Sequence, residues 1–248
     1  MRLHRHVVPE MMDRLDLPEA AHVSALAGLR RANQATKAAQ HVAKPIVALA
    51  RRDGIDRISM LDVACGGGDV PIEVALRAKT MGISIELTLL DRSATALRNA
   101  AAAAERAGVH CRFVQADLLN ECPPLNFDVI TCSLFLHHIP QRGQVVDFLK
   151  NLRRIARRRI VVSDVRRSWI GWATAWVGSR LLSRSPMVHH DGPASVRGAW
   201  TMRELAHFAA EAQMNGATVQ RSWPWRMLLV WDATGGMKRG RGQSRSAQ

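Results

Sequence analysis

The sequence predicts an α/β fold: a seven-stranded, mostly parallel sheet with helices on both faces and a helical extension at the N-terminus. The main observation is that short apolar segments alternate along the chain with longer segments of helical periodicity. In addition, the last two apolar segments are joined by a short Trp-Pro-Trp turn, which predicts a hairpin and one antiparallel strand. The chain has 248 residues, 47% of them hydrophobic, which is enough for one such domain with extra helices.

The N-terminal region is predicted to be helical over residues 9–53. Pro18 is typical of a helix start, and Leu26, Leu29 and Ala32 recur at helical spacing. Strands and helices alternate after this region. The predicted strands cover 58–64, 83–90, 111–114, 127–132, 160–164, 217–221 and 226–231. The predicted helices cover 69–81, 94–107, 141–157, 168–183 and 201–213, with a loop over 184–200.

Local signals support the boundaries of the second of these helices. Ser93 is expected to cap its N-terminus, and Gly108 is expected to end it. On the scale of domains, the sequence predicts a helical cap over 1–45, a main domain over 46–232 and a disordered basic tail over 233–248.

Composition narrows the class of protein. The four cysteines show no metal-ligand spacing and are expected to be reduced, buried thiols, which favours the cytoplasm. The N-terminus lacks the apolar core of a secretory signal, and no apolar run reaches the roughly 20 residues of a membrane span. The net charge is +14, but the basic residues are dispersed, and the arginines between 153 and 159 are assigned to a helix end. We expect a solvated basic surface and no specific nucleic acid; a functional anion-binding surface is the alternative.

The segment 58–71 carries the most specific motif. An apolar strand runs into the glycines 66–68, and a helix opens at Asp69. This arrangement lets a ligand approach bare backbone at a helix N-terminus. A dinucleotide fingerprint would need a further glycine at position 71, where the chain has Pro71, so that alternative is disfavoured.

Acidic side chains follow three of the predicted strands. Asp62 lies near the end of the first, Asp91 ends the second and Asp117 follows the third. A lone aspartate after a strand is usually a turn former or a helix cap. However, the carboxyl ends of parallel strands meet at one edge of the sheet, so three such carboxylates behind one glycine turn indicate a common ligand site.

An acid, three residues and Gly-x-Gly, as from Asp62 to Gly68, resembles the first motif of class I S-adenosylmethionine (SAM) methyltransferases. Ala64 departs from the pattern, since many members have glycine there. The resemblance implies SAM as cofactor, with the glycines at its methionine end, Asp91 at the ribose hydroxyls and Asp117 at the adenine. The cofactor-binding residues that it implies are Asp62, Ala64, Cys65, Gly66, Gly68, Asp91, Arg92, Asp117, Leu118 and Ser133.

The segment from Phe127 to Ile139 resembles the fourth motif of small-molecule methyltransferases, which borders the transferring methyl group. It lacks the Asn/Asp-Pro-Pro-aromatic tetrapeptide of enzymes that methylate base amines. A phenol has a pKa of about 10, so a histidine with a pKa of about 6.5 can assist as a base. The candidate bases are His137 or His138, followed by His190. No metal site is expected, because the Asp191 carboxylate beside His190 is more typical of an orienting partner.

Trp169, Trp172 and Trp176 share one face of a predicted helix, which suits a core helix, an apolar acceptor channel or a face that rests on a membrane. The segment 181–197 resembles a bacterial subgroup of methyltransferases found beside type III polyketide synthases, some of which O-methylate phenolic lipids. The resemblance implies that the loop over 184–200 covers the acceptor. The implied acceptor pocket consists of Trp169, Trp172, Asp191, Arg197 and Trp200.

The expected function is therefore SAM-dependent methyl transfer to a small apolar acceptor, at the phenolic oxygen of a polyketide or phenolic lipid. Peripheral membrane contact is a further expectation. The alternatives are an RNA methyltransferase, a SAM-binding protein without catalysis, and a C-methyltransferase of quinone precursors. Neither the acceptor nor the oligomeric state follows from the sequence.

Overall fold

The computed structural model describes residues 3–11, 19–121 and 124–233, with the backbone alone for 19–22. Within these ranges, seven strands form one sheet in the order β3-β2-β1-β4-β5-β7-β6. Its first five strands are parallel, and β7 is antiparallel to both β5 and β6. The predicted seven-stranded, mostly parallel sheet is thus confirmed. The strands are β1 (Arg57–Val63), β2 (Ser84–Asp91), β3 (Cys111–Gln115), β4 (Phe127–Ser133), β5 (Ala156–Val165), β6 (Thr218–Ser222) and β7 (Arg226–Asp232).

Helices cover both faces of the sheet. One apolar core lies between the sheet and α5 and α8, and a second lies between the sheet and α2, α3 and α4. The helices are α1 (Glu19–Ala35), α2 (Ala38–Asp53), α3 (Asp69–Thr80), α4 (Ala94–Ala107), α5 (Arg142–Ile155), α6 (Trp169–Leu182), α7 (Pro186–Gly198) and α8 (Met202–Glu211). No helix in the described ranges combines the length and the apolar character needed to cross a bilayer.

The predicted ends of α4 are confirmed. The Ser93 hydroxyl accepts a hydrogen bond from the Ala96 N–H, and Gly108 ends the helix in the left-handed conformation with φ of 63°. The domain boundary expected after residue 45 falls inside the continuous helix α2. Of the expected basic tail, residues 234–248 lie outside the described ranges.

The prediction of a loop over 184–200 is wrong, because α7 spans most of that segment. Pro193 and Gly192 have low helix propensity. Tertiary packing overrides them: α7 lies against α6, and a Cβ built on Gly192 would stand 3.3 Å from the Ser179 side chain. Glycine at this position therefore permits the close approach of the two helices.

The assignment of the arginines at 157–159 to a helix end is also wrong, because β5 already begins at Ala156. Acids on neighbouring elements pair with Arg158 and Arg159, whereas Arg157 donates to the Asn126 amide oxygen. The Arg159 guanidinium donates to both carboxylate oxygens of Asp232, at 2.6 and 2.7 Å, and Arg158 pairs with Asp53 and Asp128. Consecutive arginines can thus lie in a strand, because ion pairs with acids replace the hydration that the guanidinium groups would have at an exposed helix end.

Residues 3–11 form a segment that we call the N-terminal strap. It is not helical at residues 9 and 10, where the sequence predicted a helix. The Arg5 guanidinium donates to the carbonyls of Gly198, Pro140 and Ile139 at 2.7–2.8 Å and lies 3.4 Å from the Trp200 ring centroid. The strap therefore crosses the end of α7 and the residues that follow β4.

Gly68 should be the least replaceable glycine of the turn after β1. Its φ is 72°, and an added Cβ would lie 3.1–3.3 Å from Ala100, Ile72 and Leu89. We expect Gly68→Ala to lower the free energy of unfolding by about 2 kcal/mol or more, from backbone strain and crowding together. Gly143→Ala is the control: Gly143 lies in α5 with open space at its Cβ position, so we expect no loss of stability. Equal urea midpoints for the two variants would contradict this account.

Arg5 should hold the N-terminal strap in place. We expect Arg5→Ala to lower the free energy of unfolding by about 1–3 kcal/mol, because three charge-assisted hydrogen bonds and a cation–π contact are lost. Lys79→Ala, at an exposed position of α3, should change it by less than about 0.5 kcal/mol. The prediction fails if urea unfolding shows the same small change in both variants.

Candidate active site

A cavity of about 720 Å³ lies beyond the carboxyl ends of β1, β2, β3 and β4. This is the position at which open parallel sheets bind ligands, and the volume suits a small molecule. All the predicted cofactor residues line it except Gly68, which packs against the core beneath the turn. The predicted set on the wall is Asp62, Ala64, Cys65, Gly66, Asp91, Arg92, Asp117, Leu118 and Ser133.

The turn after β1 exposes backbone to the cavity. Ala64 and Gly66 are left-handed, with φ of 55° and 53°, and a Cβ on Gly66 would meet nothing within 4 Å. A left-handed alanine is strained by about 1–2 kcal/mol, which is a physical reason for glycine to be favoured at position 64. The Gly66 N–H donates to Asp91 Oδ2 at 2.9 Å, so the turn is tied to the end of β2.

The Asp91 carboxylate is held at two points. Its Oδ1 accepts a hydrogen bond from the Ser93 N–H at 2.9 Å, and its Oδ2 accepts the one from Gly66. Each carboxylate oxygen has about two lone-pair sites, so each retains capacity for a further donor. The two oxygens are therefore oriented to receive a pair of hydroxyl groups at the cavity wall.

The Asp62 carboxyl is buried and accepts a hydrogen bond from the Thr131 hydroxyl. Burial, with the nearby Asp69 and Asp91 charges, raises the pKa of Asp62 to about 8, so this group is neutral at pH 7. Asp117 instead holds its own turn: its oxygens accept from the Leu119 N–H at 3.0 Å and from the Asn120 side chain at 2.8 Å.

Helix α1 contributes a wall that the sequence analysis did not assign to the site. Leu26, Leu29 and Asn33 line the cavity, and the Asn33 amide donates to Asp69 at the start of α3. The same Asn33 side chain accepts from the Arg226 guanidinium at 2.7 Å. Helical periodicity predicted α1, but no local signal indicates which side of the sheet it covers.

The residues after β4 bring one predicted base to the cavity. His138 lines the wall beside Phe135 and Ile139, whereas His137 is buried behind it with 4% of its side chain exposed. His190 stands elsewhere, on α7, about half exposed and hydrogen-bonded to Asp191 at 2.9 Å. Of the three histidines, the structure thus brings only His138 to the cavity wall.

His137 is enclosed by two carboxylates. Its Nδ1 lies 2.6 Å from Asp164 Oδ1, and its Nε2 lies 3.4 Å from Glu10 Oε1. Burial alone would lower the pKa of His137, but Asp164 and Glu10 together raise it to about 10. Glu10 was missed by sequence reasoning, because 127 residues separate it from His137 and no motif surrounds it.

None of the five residues assigned to the acceptor pocket lines this cavity. Trp200 lies in the core, where its Nε1–H donates to the Leu136 carbonyl, and buried Asp191 accepts from the Met11 N–H. Arg197 is exposed, Trp172 is half-buried and 40% of Trp169 is exposed. The predicted tryptophan face of α6 is thus largely at the surface; buried positions of α6 include Gly171 and Ser179.

Comparisons with known proteins agree with this geometry. Residues 60–159 match the family described as Methyltransferase domain. A ubiquinone biosynthesis O-methyltransferase of Yersinia pestis (strain Pestoides F) is 30% identical over 152 residues, and this match spans 60% of the chain and 60% of the relative's length.

Solved structures share the fold. Magnesium protoporphyrin IX methyltransferase of Synechocystis PCC 6803 with bound SAH has a TM-score of 0.53 at 15% identity, over 89% of this chain and 90% of its own. A SAM-dependent methyltransferase of Clostridium acetobutylicum ATCC 824 has a TM-score of 0.53 at 11% identity, over 78% of this chain and 91% of its own. Residues 60–159 thus match a methyltransferase domain, and they lie within a sheet whose fold these solved structures share.

Proposed function

We propose that this protein transfers the methyl group of SAM to a phenolic oxygen of a small, apolar acceptor. One observation carries the proposal: a single cavity joins a glycine turn and an oriented carboxylate, at Gly66 and Asp91, to a histidine between apolar side chains, at His138. When bound, SAM supplies a methyl group that is already activated on a sulfonium. The protein has to position the acceptor and handle its proton.

The cofactor end of the cavity fits SAM. Gly66 leaves room for backbone contact, and Asp91 presents two oriented acceptors for the ribose hydroxyls. We assign the adenine to the turn at Asp117 and Leu118; because the Asp117 carboxylate already bonds its own turn, backbone and apolar contacts carry more of this recognition than the carboxylate does. Ser133, at the end of β4, borders the methionine end.

The acceptor end is apolar, with Leu29, Phe135, Ile139 and Phe148 on its wall. These side chains suit an aromatic ring, and His138 is the group among them that can act on a hydroxyl. We therefore assign proton removal to the position of His138. His137 is a positioning residue behind His138, and the two ring centroids are 4.2 Å apart. His190 remains a less favoured candidate for the base, because it does not line this wall.

Two acceptor classes follow from different observations. The apolar wall suits a phenolic lipid or polyketide phenol, which is our first choice. The similarity to a ubiquinone biosynthesis O-methyltransferase favours a phenolic quinone precursor as the second. RNA ranks below both, since arginines such as Arg158, Arg159 and Arg167 are paired with acids.

We also infer that the reaction takes place in the cytoplasm, at a lipid surface. Ile170, Trp176, Val177 and Leu181 are exposed along α6, and the Arg180 guanidinium lies 3.9 Å from the Trp176 ring centroid. Apolar side chains beside arginines suit contact with anionic lipid, from which an apolar acceptor could be drawn.

Asp91 should control cofactor affinity. We expect Asp91→Ala to weaken SAM binding roughly 10- to 150-fold, because hydrogen bonds to a charged group contribute about 1.5–3 kcal/mol. The measurement is calorimetry with SAM and with its demethylated product, and Asp147→Ala, at an exposed position of α5, is the control. Wild-type affinity in Asp91→Ala would contradict the assignment.

His138 should control turnover. We expect His138→Gln to lower kcat by roughly 10²- to 10⁴-fold while SAM affinity stays within about threefold, since the residue serves the acceptor and not the cofactor. The assay is radiolabelled methyl transfer over phenolic lipids, quinone precursors and total RNA, with His207→Gln, at an exposed position of α8, as the control. A greater loss in His190→Gln than in His138→Gln would refute the assignment, and labelling of RNA alone would refute the proposed acceptor class.

A further inference from the structure

We propose that Glu10, His137 and His138 form a binding site for one divalent transition-metal cation such as Zn²⁺. Each residue offers one ligand atom, and these three atoms lie within 4.8 Å of one another. The site is assembled from two distant parts of the chain, since Glu10 belongs to the N-terminal strap and the histidines follow β4.

The spacing of the ligand atoms is the first argument. His137 Nε2 lies 3.4 Å from Glu10 Oε1, and His138 Nε2 lies 3.9 Å from Glu10 Oε2. A charge-assisted hydrogen bond would bring nitrogen and oxygen to about 2.7–2.9 Å. Two ligands at about 2.0–2.1 Å from a tetrahedral Zn²⁺ stand roughly 3.4 Å apart. This value matches the His137 distance, whereas the His138 distance to the other Glu10 oxygen is longer, at 3.9 Å.

The orientation of His137 is the second argument. Its Nδ1 contacts Asp164 Oδ1 at 2.6 Å, and Asp164 is itself held by the N–H groups of His137 and Val165. A carboxylate behind one ring nitrogen is the usual support of a metal-binding histidine, because it directs the other nitrogen at the ion. Here that other nitrogen lies 3.4 Å from Glu10 Oε1, so a cation between the two atoms would contact both of them.

The burial of Glu10 is the third argument. Its carboxylate is buried at 7% side-chain exposure and accepts a hydrogen bond from the Ser195 hydroxyl at 2.5 Å. A buried carboxylate is unfavourable by several kcal/mol unless a cation compensates it. The strap brings it there through the contacts of Arg5 and of the Met11 N–H, which donates to Asp191.

The donor set selects the class of metal. Two imidazole nitrogens and one carboxylate oxygen suit Zn²⁺ and its transition-metal neighbours, whereas Mg²⁺ and Ca²⁺ require oxygen ligands. The described residues supply three ligands, and a tetrahedral ion held by these three alone would have one further position for another molecule, as in catalytic zinc sites. The site adjoins the cavity, because His138 lines the cavity wall.

The consequence for the reaction rests on the proposed function. A bound cation would lower the pKa of an acceptor hydroxyl in the open position, as Zn²⁺ lowers that of water to about 7. The O–H bond would then break with the proton passing to solvent, and the oxygen lone pair would form the new bond to the methyl carbon as the sulfur–carbon bond breaks. In this state His138 acts as a ligand and not as the base.

The test is metal binding by the full chain after treatment with a chelator. Calorimetry with Zn²⁺ should give one site per chain, whereas Mg²⁺ should give no binding, and Zn²⁺ should raise the melting temperature. Glu10→Gln and His138→Gln should each weaken Zn²⁺ binding at least tenfold. The control is His207→Gln, because His207 and Glu211 form an exposed pair of the same residue types, 2.7 Å apart.

X-ray absorption should show two nitrogen ligands and at least one oxygen ligand on the bound zinc. Sulfur ligands, substoichiometric zinc, or equal binding by wild type, Glu10→Gln and His138→Gln would overturn the proposal and leave His137 as a protonated partner of its two carboxylates. His138 lines the cavity wall, so we expect His138→Gln to fold. Circular dichroism of this variant checks that expectation independently of zinc binding. The zinc-binding measurements use no methyl acceptor. A failure to detect methyl transfer in the separate activity assay would therefore refute the proposed function and leave the zinc-binding result unchanged.

Discussion

The hydrogen bond from the Gly66 N–H to the Asp91 carboxylate is the contact on which the rest of the site depends. It joins the turn after β1 to the end of β2, two neighbours in the parallel sheet. Parallel pairing places the ends of these strands side by side, but it does not orient a loop. The bond does so, and it fixes the Asp91 carboxylate at the cavity wall.

Two of the four non-glycine residues with positive φ in the described ranges border the same cavity. Ala64 and Leu134 are non-glycine residues with positive φ, at 55° and 58°, and they follow the two adjacent strands β1 and β4. Such residues persist only where the surroundings stabilise them. The Leu134 N–H donates to the Ser163 carbonyl, and the Cys65 N–H donates to the Leu90 carbonyl, so the neighbouring strands hold both turns.

The opposite wall depends on contacts between segments that are remote in sequence. The N-terminal strap crosses the residues after β4 through Arg5 and carries Glu10 to the histidine pair. Helix α7 adds Ser195 from the other side. The electrostatic environment of His137 and His138 is therefore set by the N-terminal strap, by α7 and, through Asp164, by β5, and loss of any one of these contacts would change it.

The sequence by itself determined the sheet and the edge of it at which the glycine turn and the acids after successive strands meet. Strand alternation, the glycine turn and the acids after successive strands are local signals, and parallel pairing necessarily brings their ends together. The sequence could not determine the surroundings of His138. It predicted a loop where packing against α6 stabilises α7, and it assigned Trp200 to a pocket although Trp200 fills the core.

Only the tertiary structure decided which histidine meets the cavity and which acid accompanies it. His137 and His138 are adjacent in the sequence and identical in type, yet in the short 3₁₀ helix over Leu136–His138 the first is buried between carboxylates and the second lines the wall. Glu10 joins them across 127 residues. Local sequence patterns specify strands and turns, because the interactions that stabilise these elements join residues that are close in the sequence. The partners of a buried charge depend instead on how the whole chain packs.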